Sequence, residues 1–257
     1  MRETSLISFT INCIPLFPDA ALLLRTLKCH YMNIRFSLNR PCRCLHALVV
    51  VLVMHAFQTS AQTPSNLTLN AQLLLAARQN DLPQVERVLS QGAAPNSRNR
   101  LGKTSLLMAC EKGNLALVSR MLGAGADVNL PSLERVTPLM AASYIGHAPL
   151  VGLLLKAGAQ TAPLDQMNKP AMVYAAGQGH AAVIALLLAA GVDPNAPHEH
   201  ALTALMWAAG QGHADAVQLL LAKGARADLR DDRGQTALDM ARSGDHAAAA
   251  ALLSAPP

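Results

Sequence analysis

Aromatic residues are scarce in this chain, at 3% of 257 residues, and charged residues reach only 14%. A core built around large rings is thereby excluded. The 51% of hydrophobic residues, rich in Ala and Leu, suits small regular helices packed side by side. Charge of one sign is also missing where it would matter. The formal net charge is +5, but six basic and two acidic residues precede residue 62, which leaves residues 62–257 with a net of +1. No broad basic field remains to hold phosphates, so nucleic acid is not an expected partner. Four of the five cysteines, Cys13, Cys29, Cys42 and Cys44, also precede residue 62, and Cys110 alone cannot form an internal disulfide. Cys42-x-Cys44 is one residue short of a C-x-x-C pair and reads as a chance spacing.

Long hydrophobic runs are lacking too. The apolar stretch Leu45 to Phe57 has 13 residues and is interrupted by His46 and His55. A membrane span needs roughly 20 apolar residues, so this run is too short to be a comfortable one, and an uncleaved membrane anchor is the alternative reading. It follows Arg40-Pro41-Cys42-Arg43-Cys44 and precedes Thr59-Ser60-Ala61, the layout of a secretory signal peptide. Cleavage is expected between Ala61 and Gln62. A signal of ordinary length starts at Met32, so 32–61 reads as the signal and 1–31 as upstream extension. Residues 62–65 form a short polar linker. No catalytic triad, carboxylate pair or phosphate-cradling loop is present at meaningful spacing. Catalysis, cofactor and resident metal are therefore not expected.

What is present is a period. Gly92-Ala93, Gly125-Ala126, Gly158-Ala159, Gly191-Val192 and Gly224-Ala225 recur every 33 residues without an insertion. Gly113, Gly146, Gly179 and Gly212 keep the same step, as do His147, His180, His213 and His246. Fixed-interval self-similarity signals a repeat array, which generally binds other macromolecules.

The repeat at 132–164 shows the local logic. Thr137 is placed to cap a helix, and Pro138 at the first helical position has no N–H to leave unpaired. Leu139, Ala141 and Ala142 are small enough for close helix approach. Gly146 supplies the left-handed turn that ends the helix. Pro149 opens a second helix whose apolar face is Leu150, Val151, Leu153, Leu154 and Leu155, and Gly158-Ala159 closes it. Neither helix can bury its stripe alone, so stability must come from stacking on neighbours.

Thr137-Pro138-Leu139-Met140-Ala141-Ala142, Gly146-His147, Leu153-Leu154-Leu155 and Gly158-Ala159 resemble the ankyrin repeat. Thr203-Ala204-Leu205-Met206-Trp207-Ala208-Ala209 with Gly212-His213 matches again, and Gly125-Ala126-Asp127-Val128-Asn129 and Gly191-Val192-Asp193-Pro194-Asn195 match the connecting turn. The resemblance implies an all-α ankyrin-repeat solenoid of about six helix-turn-helix units joined by hairpin-like loops: 66–98, 99–131, 132–164, 165–197, 198–230 and 231–257. Departures are visible. The family's fourth-position histidine is replaced by Leu107, Met140, Val173, Met206 and Asp239. Lys169-Pro170 lacks the threonine cap. Residues 66–98 have Ala71-Gln72 where Thr-Pro belongs, which suits an end cap with one wet side.

The histidine ladder invites a metal reading, but packed helices lie about 8–10 Å apart while a metal's ligands lie about 2 Å from it. Each histidine is instead expected to bond turn backbone between its two helices. His198-Glu199-His200 is expected in a solvated loop. Cys110 shares a column with Ala77, Ser143, Ala176 and Ala209 and reads as a small packed residue. Tyr174 and Trp207 share a column and suit equally a sticky concave stripe or partial burial between helices.

Similar proteins bind through hairpin tips and exposed first-helix positions. Carried over by column, the candidate partner-binding residues are Arg100, Leu101, Lys103, Glu111, Lys112, Leu133, Glu134, Val136, Tyr144, Ile145, Met167, Lys169, Gln178, Glu199, His200, Leu202, Gln211 and Arg233. The apolar members exceed what an idle solvent face requires. The sequence reading is a monomeric, non-enzymatic, exported binding protein of a bacterial periplasm, with a protein as partner. The alternative is a secreted effector that binds a host protein. An enzyme built on the scaffold is the remotest reading.

Overall fold

The computed structural model describes residues 66–254. The expected extension, signal and linker at 1–31, 32–61 and 62–65 lie outside the described residues. Twelve α-helices follow one another in six pairs: α1 (Asn66–Gln79) and α2 (Leu82–Ser90), α3 (Ser105–Glu111) and α4 (Leu115–Gly123), α5 (Pro138–Ile145) and α6 (Ala148–Lys156), α7 (Ala171–Gly177) and α8 (Ala181–Ala189), α9 (Ala204–Gly210) and α10 (Ala214–Ala222), α11 (Ala237–Ser243) and α12 (Ala247–Ser254). A single 3₁₀ turn, Glu199–Ala201, interrupts the loop before α9. Among the described residues there are no strands, only one isolated bridge between Arg98 and Thr104. The all-helical solenoid that the resemblance implied is what forms.

Each first helix packs on the first helices of its neighbours, and each second helix on the neighbouring second helices. The first helices are in closer contact with one another than the second helices are. Residue size explains this. Ala109, Ala142, Ala175, Ala208 and Ala241 occupy one column of the first helices and are fully buried. Cys110 sits in the adjacent column, buried as a small packed residue, and burial raises its thiol pKa above the ordinary range. In the second helices the buried set is narrower than expected. Leu150, Val151 and Leu154 are buried, while Leu153 and Leu155 are half-buried. On a helix this short, residues i, i+1 and i+4 already cover the inward side, and the other leucines pack at its margins. Each fully buried Leu or Val contributes about 1.5–3 kcal/mol before chain entropy is subtracted.

The caps follow the sequence with informative exceptions. Thr104, Thr137, Thr203 and Thr236 each accept an N–H from the third residue of the helix they open. At three of these caps the residue in the missing histidine's place accepts the threonine's own N–H. The Met140 and Met206 sulfurs accept the Thr137 and Thr203 N–H groups at 3.4 and 3.5 Å, and the Asp239 carboxylate accepts the Thr236 N–H at 3.0 Å. Helix α7 opens at Pro170 with no side-chain cap, as the missing threonine implied. Helix α1 lacks a start signal at 71–72 and runs 14 residues.

The histidines act differently from the expectation. The Nε2–H groups of His180, His213 and His246 donate to the carbonyls of Tyr144, Gly177 and Gly210 at 2.9, 3.0 and 3.1 Å. Each reaches back to the first helix of the preceding repeat, so the bond staples neighbours instead of joining the two helices of one unit. A carbonyl only accepts, which places the proton on Nε2. His147 departs: its Nδ1 accepts the Leu150 N–H at 3.2 Å and caps its own second helix.

A second set of staples comes from asparagine. Asn129 accepts the Gln160 N–H at 2.8 Å and donates to the Gly158 carbonyl at 3.2 Å. Asn195 repeats this on Arg226 and Gly224 at 2.8 and 3.0 Å, and Asn96 accepts the Asp127 N–H at 2.8 Å. The column breaks at Ala162, where a cleft of about 440 Å³ opens beside Leu155, Gln160 and Ala190.

Candidate functional site

Four of the five loops that join one repeat to the next are built on their leading residue. Asn99, Asp165 and Asp231 each accept two N–H groups through one side-chain oxygen, from Leu101 and Lys103, Met167 and Lys169, and Arg233 and Gln235, at 2.8–3.0 Å. Ser132 does so once, from Val136 at 3.2 Å. This local closure projects each tip, and the tips are joined by main-chain bonds. Leu133 N–H donates to Leu101, Gln166 to Glu134 and Asp232 to His200, at 3.0–3.1 Å. The candidate side chains thus stand on a framework fixed by short-range polar chemistry.

Three cavities lie in sequence along this side. The first, of about 340 Å³, is lined by Glu111, Val136, Met140, Ala141, Tyr144, Ile145 and Tyr174. The second, also about 340 Å³, gathers Gln166, Met167, Lys169, His198, Glu199, His200, Leu202 and Trp207. The third, about 360 Å³, brings Leu202, Trp207, Gln211, Arg233 and Gln235 together with Met206 and Met240. Leu101, Leu133, Tyr144, Ile145 and Met167 are among the seven exposed large hydrophobic residues of the described chain. The candidates Arg100, Lys112, Glu134 and Gln178 are exposed as well, but they line none of these three cavities, nor do Leu101, Lys103 and Leu133.

Tyr174 and Trp207 are partly buried between helices, as one reading of their column expected. Each is half-buried and each lines a cavity. Tyr144 and Tyr174 meet edge to face with centroids 6.0 Å apart. The Tyr174 hydroxyl donates to the Asp165 carboxylate, and burial together with that carboxylate raises the phenol's pKa. The Lys169 ammonium lies 4.7 Å from the Trp207 ring centroid. Glu111 is held by the Lys103 ammonium at 2.6 Å. His200 contacts Asp232 at 3.5 Å, and burial lowers the pKa of His198. Among the described residues no group of three or more His, Cys, Asp or Glu side chains is arranged to hold a metal.

Some surface was not anticipated. Leu75 is exposed in the Tyr174–Trp207 column of α1. On the second-helix side, Leu115, Ala116, Pro149, Gly152, Leu153 and Leu186 line a cleft of about 830 Å³. The shortage of charged residues on α4, α6 and α8 was the available signal. The aromatic inventory was another: beyond residue 61 the only rings are Tyr144, Tyr174 and Trp207, and all three border these cavities.

These features define a helical repeat solenoid whose loop tips and first helices present a row of apolar cavities with polar margins. The family model for ankyrin repeats in three copies matches residues 73–165, 116–198 and 172–256, and the chain belongs to the ankyrin repeat family. No curated protein matches the chain. Ankyrin repeats are generally protein–protein interaction modules and typically non-enzymatic. No helix among the described residues is long and apolar enough to cross a membrane.

Proposed function

We propose that this protein is a non-catalytic, exported holder of another protein, and that it grips its partner along the tips and first helices of repeats two to six. The observation that carries the reading is the gathering of apolar surface. Leu101, Leu133, Tyr144, Ile145 and Met167 are exposed on this side, and every ring beyond residue 61 borders its cavities. Large exposed side chains of this kind, and Trp and Tyr above all, are what protein interfaces use as anchors. Export to a bacterial periplasm rests on the signal layout of Arg40 to Ala61, with translation from Met32.

The test replaces Leu133, Tyr144 and Ile145 together by serine. All three are solvent-exposed, so the helical circular dichroism and the unfolding midpoint stay near those of the parent. Crosslinking in the native compartment then captures the partner with the parent and not with the triple variant. Equal capture by both overturns the binding face. Cell fractionation checks the compartment, and accumulation in the culture medium favours the secreted-effector reading instead.

A further inference from the structure

The tips are not equivalent. Main-chain bonds join them at spacing i to i+32 from Leu101, Glu134 and His200. The same register predicts a bond from the Glu199 N–H to the Met167 carbonyl. That bond is absent, and neither group has another hydrogen-bond partner among the described residues. The cause lies at the leading residue of the fifth loop. Where the other repeats have Asn99, Ser132, Asp165 and Asp231, this one has His198, whose side chain accepts none of the loop's N–H groups. The loop folds otherwise, as a 3₁₀ turn with both His200 and Ala201 at positive φ, 59° and 57°. Every other tip has one such residue, at Gly102, Arg135, Asn168 or Gly234. The second cavity lies between the fourth and fifth tips.

The walls of that cavity are distinctive. Met167, Leu202 and Trp207 make it apolar. Lys169 holds its ammonium over the Trp207 ring and has no carboxylate partner among the described residues, whereas Lys103 of the second repeat is paired with Glu111. A partly buried cation on an aromatic face gains from a carboxylate brought beside it. The unpaired Met167 carbonyl and Glu199 N–H offer an acceptor and a donor to a passing main chain.

We propose that the cleft between the fourth and fifth tips is the anchoring subsite for the partner: an extended polypeptide segment that inserts a large apolar side chain against Trp207 and Met167 and places a neighbouring carboxylate on Lys169. Its main chain takes up the two groups left by the missing rung, donating to Met167 and accepting from Glu199. This rests on the protein-holding function proposed above and names the chemistry of the partner.

Trp207 is the only tryptophan in the chain, so its emission reports on this cleft directly. The probes are three blocked hexapeptides: phenylalanine followed by two glutamates, phenylalanine followed by two lysines, and alanine followed by two glutamates, each flanked by glycine. One inserted side chain with two main-chain bonds corresponds to a Kd on the order of 0.1–1 mM. The expected result is a saturable change in Trp207 emission with the first peptide and roughly tenfold weaker binding of the other two. Lys169→Glu, at a half-buried rim position, keeps the fold by circular dichroism and reverses the preference between the acidic and basic peptides. No saturable change with the first peptide up to about 10 mM overturns the proposal. So does equal affinity for acidic and basic peptides, or an unchanged preference in Lys169→Glu. Failure here is distinguishable from failure of the holding function. If partner capture is lost in the Leu133, Tyr144 and Ile145 variant but intact in Lys169→Glu, the grip stands and this subsite falls.

Discussion

Replacing Gly146 by alanine tests the inter-repeat staples directly. Gly146 sits at φ 76°, and a Cβ there would stand 2.5 Å from Cε1 and 2.6 Å from Cγ of His180. Two costs follow. The left-handed backbone is disfavoured for alanine by about 1–2 kcal/mol. The imidazole must also leave its place, which forfeits its hydrogen bond to Tyr144 and disturbs the packing around it, about 1–3 kcal/mol more. Gly158 is the internal control. It sits at φ 88°, but a Cβ there meets nothing within 4 Å, so Gly158→Ala has only the backbone cost. With a urea m-value of about 2 kcal/mol/M, Gly146→Ala lowers the unfolding midpoint by about 1–2.5 M and Gly158→Ala by about 0.5–1 M. In a His180→Ala background the ring is gone, and Gly146→Ala then costs no more than Gly158→Ala. Unfolding followed by circular dichroism gives all four midpoints, and the double-mutant cycle isolates the coupling between Gly146 and His180. The neighbouring junctions repeat the experiment. Gly212 faces Nδ1 of His246 at 2.5 Å, whereas Gly113 faces Cδ1 of Ile145 at 3.2 Å and Cδ2 of His147 at 3.4 Å. Gly113→Ala is therefore the milder change, because His147 has turned to cap its own helix. Equal cost at Gly146 and Gly158, or zero coupling with His180, refutes the ring-clash argument.

Ala162→Asn restores the missing asparagine staple: its side chain can accept the Asp193 N–H and donate to the Gly191 carbonyl, as Asn129 does one repeat earlier. The site is exposed, and the gain of about 0.5–1 kcal/mol appears as a higher urea midpoint, with an unchanged or lower midpoint counting against the staple. At the last repeat, the backbone N–H and hydroxyl of Thr236, then Arg230 and Arg242, hold the Asp239 carboxyl below its ordinary pKa. A depressed carboxyl stabilises the folded state above its unfolded pKa, and the contribution disappears as pH falls through the folded value. The stability difference between the parent and Asp239→Asn is therefore present at neutral pH and shrinks toward zero on acidification below the ordinary carboxylate value; a difference independent of pH shows that the charge of Asp239 contributes nothing.

The sequence by itself determined the array. A helix pair with one apolar stripe per helix has a single way to bury both stripes, so the 33-residue step, the Thr caps and the turn glycines suffice to place the twelve helices. It also determined most of the candidate surface, because exposed positions recur by column: Tyr144, Ile145 and Met167 are exposed where the columns put them. What crosses from repeat to repeat was decided only by tertiary structure. His180 and His147 have the same local sequence signal, yet one staples the preceding repeat and the other caps its own helix, since the choice depends on which acceptor and how much room the neighbour presents. The absent rung between Met167 and Glu199 has the same origin. The substitution of His198 in a column of Asn, Ser and Asp is visible in the chain, but the gap it leaves exists only once two loops are set side by side.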